Sequence, residues 1–306
     1  MRRYRAYGLE IGCGPELPLR PSASQSDPDV RFIHEGVAPA NPAFGRDRRS
    51  LSHSDQGWLL RYDNEEGGWM AFDHRAGTGC VHISGSVDWE NCVGPLTGLV
   101  CGVLLRTAGA TLLHGACVSL GGKAIALLGP SGSGKSTLAA GLIARGATLI
   151  AEDLLAIRWN ERDYLVEPGA PTLHLLEDSH DSLGPGLAPF VQAIHSREDG
   201  KIRLDLAPGS QDILAPARLS ALFLLESGAA SDGPSLRRLS GPDAVRSLMN
   251  NLYGAPWIKR ADGGDLEFCA RLSGQMPVFA VGRPWALDGV SVTAAALQDW
   301  AARLER

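Results

Sequence analysis

The chain has 306 residues, 44% of them hydrophobic, and a formal net charge of −5. That length supports a substantial core and two domains, while the acidic balance argues against nucleic acid, whose phosphates call for clustered Lys and Arg in excess. The longest mostly apolar run, 96–105, is too short to cross a bilayer, and Met1-Arg-Arg-Tyr-Arg lacks the apolar centre of a signal peptide, so a cytoplasmic protein without a membrane partner is expected.

Residues 1–108 are expected to form a smaller β-rich domain, because short apolar runs at 30–33, 58–62, 68–72 and 80–84 are punctuated by Gly, Pro, Asn and Asp. Stretches 15–29 and 36–54 carry many breakers and read as loops, and Asp63-Asn-Glu-Glu-Gly-Gly reads as a hairpin tip. Residues 95–107 are apolar on most sides and read as a buried helix, the hinge to a second domain at 109–306. The six cysteines, at 13, 80, 92, 101, 117 and 269, form no C-x-x-C pair, and the eight histidines no H-x-x-x-H pair. Neither a zinc site nor a disulfide framework is expected.

The second domain opens with apolar runs at 111–120 and 123–128 around Gly121-Gly122, a hairpin signal that puts His114 on a strand. Directly after it, Gly129-Pro-Ser-Gly-Ser-Gly134-Lys135-Ser136 satisfies G-x-x-x-x-G-K-[ST], with a helix-like run behind it. Such a loop converges backbone N–H groups on a phosphate chain at the positive end of a helix. The candidates for binding ATP are Gly129, Ser131, Gly132, Ser133, Gly134, Lys135, Ser136 and Thr137; Lys135 supplies a point charge and the Ser136 hydroxyl a ligand for Mg²⁺. An apolar strand at 147–151 ends in Glu152-Asp153, only 18 positions after Lys135. One helix and one strand fit in that interval, which predicts both carboxylates at the carboxyl end of a strand beside the loop.

Further along, 155–159 and 164–167 read as a strand pair, and 179–200 as an irregular, substrate-facing loop. Stretch 221–226 reads as a buried parallel strand, 242–252 as a helix, 278–281 as a strand, and Ser291 as the cap of a helix running to about 304. Alternating strands and helices after residue 110 predict an α/β layer fold.

His114-Gly115, the glycine-rich loop through Ser136, Arg145-Gly146 and Glu152-Asp153, in that order, resemble the catalytic core of HPr kinase/phosphorylase over residues 112–157. The chain is more similar still to the related group that includes lasso-peptide precursor kinases, which also have a β-rich N-terminal half, an apolar helix and an L-H motif before the loop strand. The resemblance implies a P-loop kinase domain of the HPr-kinase/PEP-carboxykinase-like type, preceded by a β-rich domain for peptide or substrate recognition. It implies phosphoryl transfer from ATP, with Mg²⁺, to a seryl hydroxyl of a peptide or small protein, and it admits a homo-oligomer. By position Glu152 matches the family's proton acceptor, Asp153 its metal-side partner, and His114 its histidine near the phosphates. Glu152 stands where aspartate is usual, and the family's I-R-G-L-G-I segment is absent. Lys201 and Arg203 in Asp199-Gly-Lys-Ile-Arg-Leu resemble a basic strand of the related kinases and fall on one face by alternation, as phosphate or peptide contacts.

Three other functions compete. Arg271-Leu-Ser-Gly-Gln275 is similar to the LSGGQ signature of ABC ATPases but lacks a glycine and runs into Met276-Pro277, where that signature should open a helix. A nucleotide-gated peptide-binding protein without phosphoryl transfer, and a small-molecule kinase, are the others.

Overall fold

The structure is a computed structural model that describes residues 1–35, 49–54, 57–62, 70–75, 78–84, 89–196, 200–207, 215–226, 233–254, 262–284 and 286–304. The chain divides into two compact units, Met1–Ala108 and a second formed by Gly109–Ala255 with Lys259–Arg306. The expected hairpin tip at 63–68 lies outside the described residues, as do 36–48 of the expected loop at 36–54.

In the first unit, β1 (Arg2–Ala6), β2 (Leu9–Cys13), β3 (Arg20–Pro21), β4 (Val30–Glu35), β7 (Met70–Arg75) and β8 (Thr78–Ser84) make a six-stranded sheet in the order β3-β1-β2-β4-β8-β7. The ladder β5 (Arg49–Ser54) with β6 (Gly57–Tyr62) is a separate two-stranded sheet, so the last six residues of the loop expected at 36–54 are a strand. Tyr7 and Gly8, both at positive φ, turn β1 into β2, and Tyr4, Ile11, Cys13, Val30 and Phe32 bury their side chains. The expected helix starts earlier than its apolar run: α1 (Trp89–Pro95) continues through a π-helical turn, Leu96–Val100, into α2 (Cys101–Thr107). Pro95 has no N–H to give the preceding turn, and the wider turn follows directly behind it.

The second unit is mixed rather than purely layered. Its main sheet contains β9 (Leu112–Leu120), β10 (Lys123–Leu128), β11 (Thr148–Trp159), β12 (Tyr164–Val166), β16 (Ala217–Leu225), β17 (Ser235–Leu239) and β18 (Val278–Gly282). The order is β10-β9-β11-β12-β16-β18-β17, and β10 also pairs in parallel with β16, so five of the strands close on themselves. β16 has parallel neighbours on two sides, as its continuous apolar run requires. A three-stranded sheet, β13 (Thr172–Leu176), β15 (Lys201–Leu206) and β14 (Val191–Ser196), lies in the order β13-β15-β14. The helices are α3 (Lys135–Ile143), α4 (Glu177–Leu187), α5 (Gly241–Met249), α6 (Gly264–Gln275) and α7 (Gly289–Arg303). Leu138, Leu142 and Ile143 of α3 and Ala294 and Leu297 of α7 bury against Val118, Ile125, Leu127 and Phe223 of the sheet. No helix among the described residues is long and apolar enough to cross a membrane.

Several expectations need correction. Residues 179–200 are not an irregular loop: α4 is followed by a short 3₁₀ turn and by β14. Its breakers Gly184, Pro185 and Gly186 are outweighed by tertiary anchoring, since Leu187 is fully buried in the core. Ser291 lies inside α7, whose cap position is Asp288. Arg271 to Gln275 close α6 rather than open a helix, which removes the resemblance to the ABC signature.

Cys13, Cys92, Cys101, Cys117 and Cys269 are buried and unpaired with one another. Burial pushes the thiols of Cys13, Cys101 and Cys269 up to about 12 and raises that of Cys117 as well. At pH 8, iodoacetamide should leave these five unlabelled in the folded chain and label all of them in denaturant, as read by peptide mass mapping. Labelling of any of them at the rate of free cysteine would contradict this packing.

Candidate active site

Gly115 sets the geometry. It stands opposite Leu128, the last residue of β10, on one side and opposite Asp153 of β11 on the other. A Cβ there would meet the Leu127 carbonyl oxygen at 2.5 Å and the Leu128 side chain at 2.7 Å, so only glycine lets the strands close. The loop after Leu128 and the carboxylate of Asp153 therefore arise two strand spacings apart, roughly 10 Å between backbones. The acids do not lie at a strand end beside the loop strand, as expected. β9 intervenes, and β11 continues six residues beyond Asp153 to Trp159 because its second half pairs with β12. Asp153 itself has φ 61°, the left-handed region, in mid-strand.

The glycine-rich loop joins β10 to α3 with Gly129, Gly132 and Gly134 all at positive φ. Lys135 is buried, and its Nζ donates to the carbonyls of Gly129 at 2.9 Å and Pro130 at 3.0 Å. Burial holds its pKa below the ordinary lysine value, Lys201 adds to the depression, and Asp153 and Glu152 oppose it. The same charges reach His114: burial and Lys135 lower its pKa, against Asp153 and Glu152. His114 Nδ1–H donates to the Asp153 carbonyl at 2.9 Å, which fixes the tautomer and leaves Nε2 as the acceptor of the neutral ring.

Glu152 is almost fully buried and its carboxylate is held from one side. His174 of β13 donates to Oε2 twice, from its backbone N–H at 2.9 Å and from Nδ1–H at 2.8 Å. Oε1 of Glu152 and Nε2 of His174 are buried with no hydrogen-bond partner among the described residues, as is Oγ of Ser133. One ligand atom each from Glu152, Asp153 and His174 lie within 4.8 Å of one another. Two carboxylates, one with an unused buried oxygen, suit a hard divalent cation.

Three residues that the sequence did not flag hold these parts in place. Asn251, just after α5, accepts from the Gly129 N–H through Oδ1 at 2.8 Å, and its carbonyl accepts from the His114 N–H at 2.7 Å. One buried residue, through its side chain and its backbone carbonyl, thus ties the first glycine of the loop to the histidine strand. Arg283, after β18, donates from Nη2 to the Ser133 carbonyl and packs where a Cβ on Gly134 would lie 2.5 Å from that nitrogen. His174 is the third; its only local signal is Leu-His-Leu, in which Leu173 and Leu175 enter the core and His174 takes the other face. Thr137 meets Ser179 of α4 through their hydroxyls at 3.2 Å.

Lys201 and Arg203 share a face of β15, as alternation predicts, but their surroundings differ. Lys201 is exposed and close enough to Lys135 to depress its pKa. Arg203 is buried and pairs with Asp205 through Nε at 2.9 Å, and Asp205 also binds His195 at 3.0 Å.

Comparison with known proteins picks out this part of the chain. Residues 106–177 match the HPr Serine kinase C-terminal domain. That HPr kinase-like segment contains His114, the whole glycine-rich loop, Glu152, Asp153 and His174. Curated relatives named HPr kinase/phosphorylase, from Bacillus pumilus and Bacillus subtilis, are 43% identical over 74 residues, 24% of this chain and 24% of each relative. HPr kinase/phosphorylase 1 of Oceanobacillus iheyensis is 40% identical over 68 residues, 22% of either chain. The chain thus spans about a quarter of the length of the curated relatives it matches. Among solved structures, the Hpr(Ser) kinase/phosphatase from Coxiella burnetii aligns with 64% of this chain and 99% of its own at 10% identity and a TM-score of 0.34.

A histidine with a depressed folded-state pKa stabilises the fold above its ordinary value of 6.5 and withdraws that stability as pH falls. His114→Gln should therefore flatten the loss of unfolding free energy between roughly pH 6.5 and pH 5, measured by urea denaturation. An acid limb identical to that of the parent chain would show that His114 does not titrate below its ordinary range.

Proposed function

We propose that the chain is an ATP- and Mg²⁺-dependent kinase that transfers phosphate to a seryl hydroxyl of a peptide or small protein. One observation supports this above the rest. The matched segment brings a buried lysine at a phosphate-binding loop into the electrostatic field of a carboxylate pair, one member of which keeps an unpartnered oxygen. The loop N–H groups and the start of α3 bind the phosphates, and Lys135 exchanges its loop carbonyls for phosphate oxygen. Ser136 and Asp153 hold Mg²⁺, which when bound neutralises charge on the phosphates and orients them. Glu152 Oε1 receives the proton of the acceptor hydroxyl, while Oε2 stays fixed by two donors from His174. His114 lines the phosphates as a neutral ring, and Lys201, exposed near Lys135, offers a cation to the transferred phosphate or to an acidic peptide. Arg203, already paired with Asp205, orders β15 beneath it. The unit Met1–Ala108 is assigned to recognition of the acceptor.

With γ-labelled ATP and Mg²⁺, the parent chain should label a peptide pool containing internal serines or one ending in serine, the second being the lasso-precursor type. Lys135→Ala should abolish transfer and Glu152→Gln should lower kcat by about 10²-fold or more with ATP binding retained. Bound ATP with no label in either pool would instead support a small-molecule kinase or a nucleotide-gated binding protein.

The hold of His174 on Glu152 predicts a graded series. Asn places a donor where Nδ1 lies, so His174→Asn should retain most of the turnover, whereas His174→Leu should lower kcat by about tenfold or more without raising KM for ATP. Equal turnover of the Leu variant and the parent would remove His174 from the mechanism.

A further inference from the structure

A sizeable cavity of the second unit lies away from the glycine-rich loop. It holds about 780 Å³ and lies at the opposite end of β10, where the Gly121-Gly122 turn and Lys123 begin the strand. The six residues of β10 separate it from the loop, on the order of 20 Å. Its size falls in the range of small-ligand sites, about 300–1,000 Å³.

Its chemistry is one-sided. Arg162, Arg218, Arg238, Arg303 and Lys123 line it, against the single carboxylate of Asp163. Lys123 is committed to the last carbonyls of α7, at Ala301, Ala302 and Leu304. Asp163 is taken by Arg218 at 2.7 Å, with Arg162 3.9 Å away. Arg238 and Arg303 have no hydrogen-bond or ion-pair partner among the described residues, so along the described lining a chain of net charge −5 carries more positive than negative groups.

The cavity also has an aromatic wall. Trp159 is 38% exposed, one of few large apolar side chains so placed among the described residues, and stands 4.9 Å from the ring of Tyr164. Tyr164 is backed edge-on by Phe268 at 6.1 Å, so the indole is braced from behind. Gln275 and the carbonyl end of α6 complete the lining and accept from hydroxyl or amino donors. Cations for a phosphate, an indole for a flat ring and carbonyl acceptors for hydroxyls are needed together by one class of small molecule. We propose that this cavity is a second ligand site that binds a nucleoside monophosphate, its base on Trp159 and its phosphate among the arginines.

The test is equilibrium dialysis of labelled AMP against the full chain carrying Lys135→Ala, which weakens any contribution of the glycine-rich loop. Saturable binding of one AMP per chain is expected. Trp159→Leu should weaken it about tenfold while Trp159→Phe retains most of it, because any flat ring stacks. The double change Arg238→Ser with Arg303→Ser should also weaken it about tenfold, and binding should fall with added salt. Both arginines and Trp159 are exposed, so unchanged thermal midpoints serve as the control for folding. Absence of saturable binding, or binding indifferent to all three substitutions, would overturn the proposal. Displacement of AMP by inorganic pyrophosphate as effectively as by AMP itself would overturn it too, since the base would then go unrecognised. Phosphate transfer by the parent chain is not needed for any of these readings.

Discussion

The contact of three backbones around Gly115 is the constraint on which the rest of the site depends. β9 lies between the strand that delivers the glycine-rich loop and the strand that carries the acids, and it can do so only where a side chain is missing. Once that contact closes, the register on both sides is fixed, because a shift of one residue would turn every side chain to the other face. The glycine-rich loop and the Glu152-Asp153 pair are then positioned by the ladder hydrogen bonds of the strands that carry them. His114, the residue before this glycine, is carried to the Asp153 carbonyl by the same register.

Around this frame the charges are arranged with little water to share them. Lys135 and Glu152 are both buried, and the Lys135 ammonium and the Glu152 Oε2 take their partners from backbone groups or from a neighbour of another element rather than from each other. An ammonium and a carboxylate kept out of one ion pair can act on different ends of the proposed reaction, one on phosphate charge and the other on a proton. Supporting residues enter from distant parts of the chain: Asn251 from the end of α5, Arg283 from the end of β18 and His174 from the small sheet. They make the loop and the acid pair one connected hydrogen-bonded body.

Legibility from sequence followed the range of the interactions. The glycine-rich loop, the hairpin at Gly121-Gly122 and the parallel strand near 221–226 rest on local signals, namely glycines at positive φ and a continuous apolar run, and they form where those signals lie. α4 was hidden because its own residues argue against a helix, and only the burial of Leu187 in the core favours it. The course of β11 past the acids was hidden for a similar reason. Glu152-Asp153 interrupts an apolar run as a strand end would, and pairing with β9 and β12 carries the strand through. Asn251, Arg283 and His174 lie 122, 150 and 22 positions from the groups they bind, so no window of sequence contains both partners.

The left-handed backbone of Asp153 sets two demands against each other. A non-glycine residue in that conformation costs roughly 1–2 kcal/mol, and it does so in the middle of a strand where neighbours allow no relaxation. Glycine would suit the backbone best, while a carboxylate is what the proposed chemistry calls for. Position 153 is therefore a place where a more stable chain and a more active one would carry different residues. A search for thermostable variants that scored folding alone would be drawn to discard the carboxylate that the proposed reaction needs.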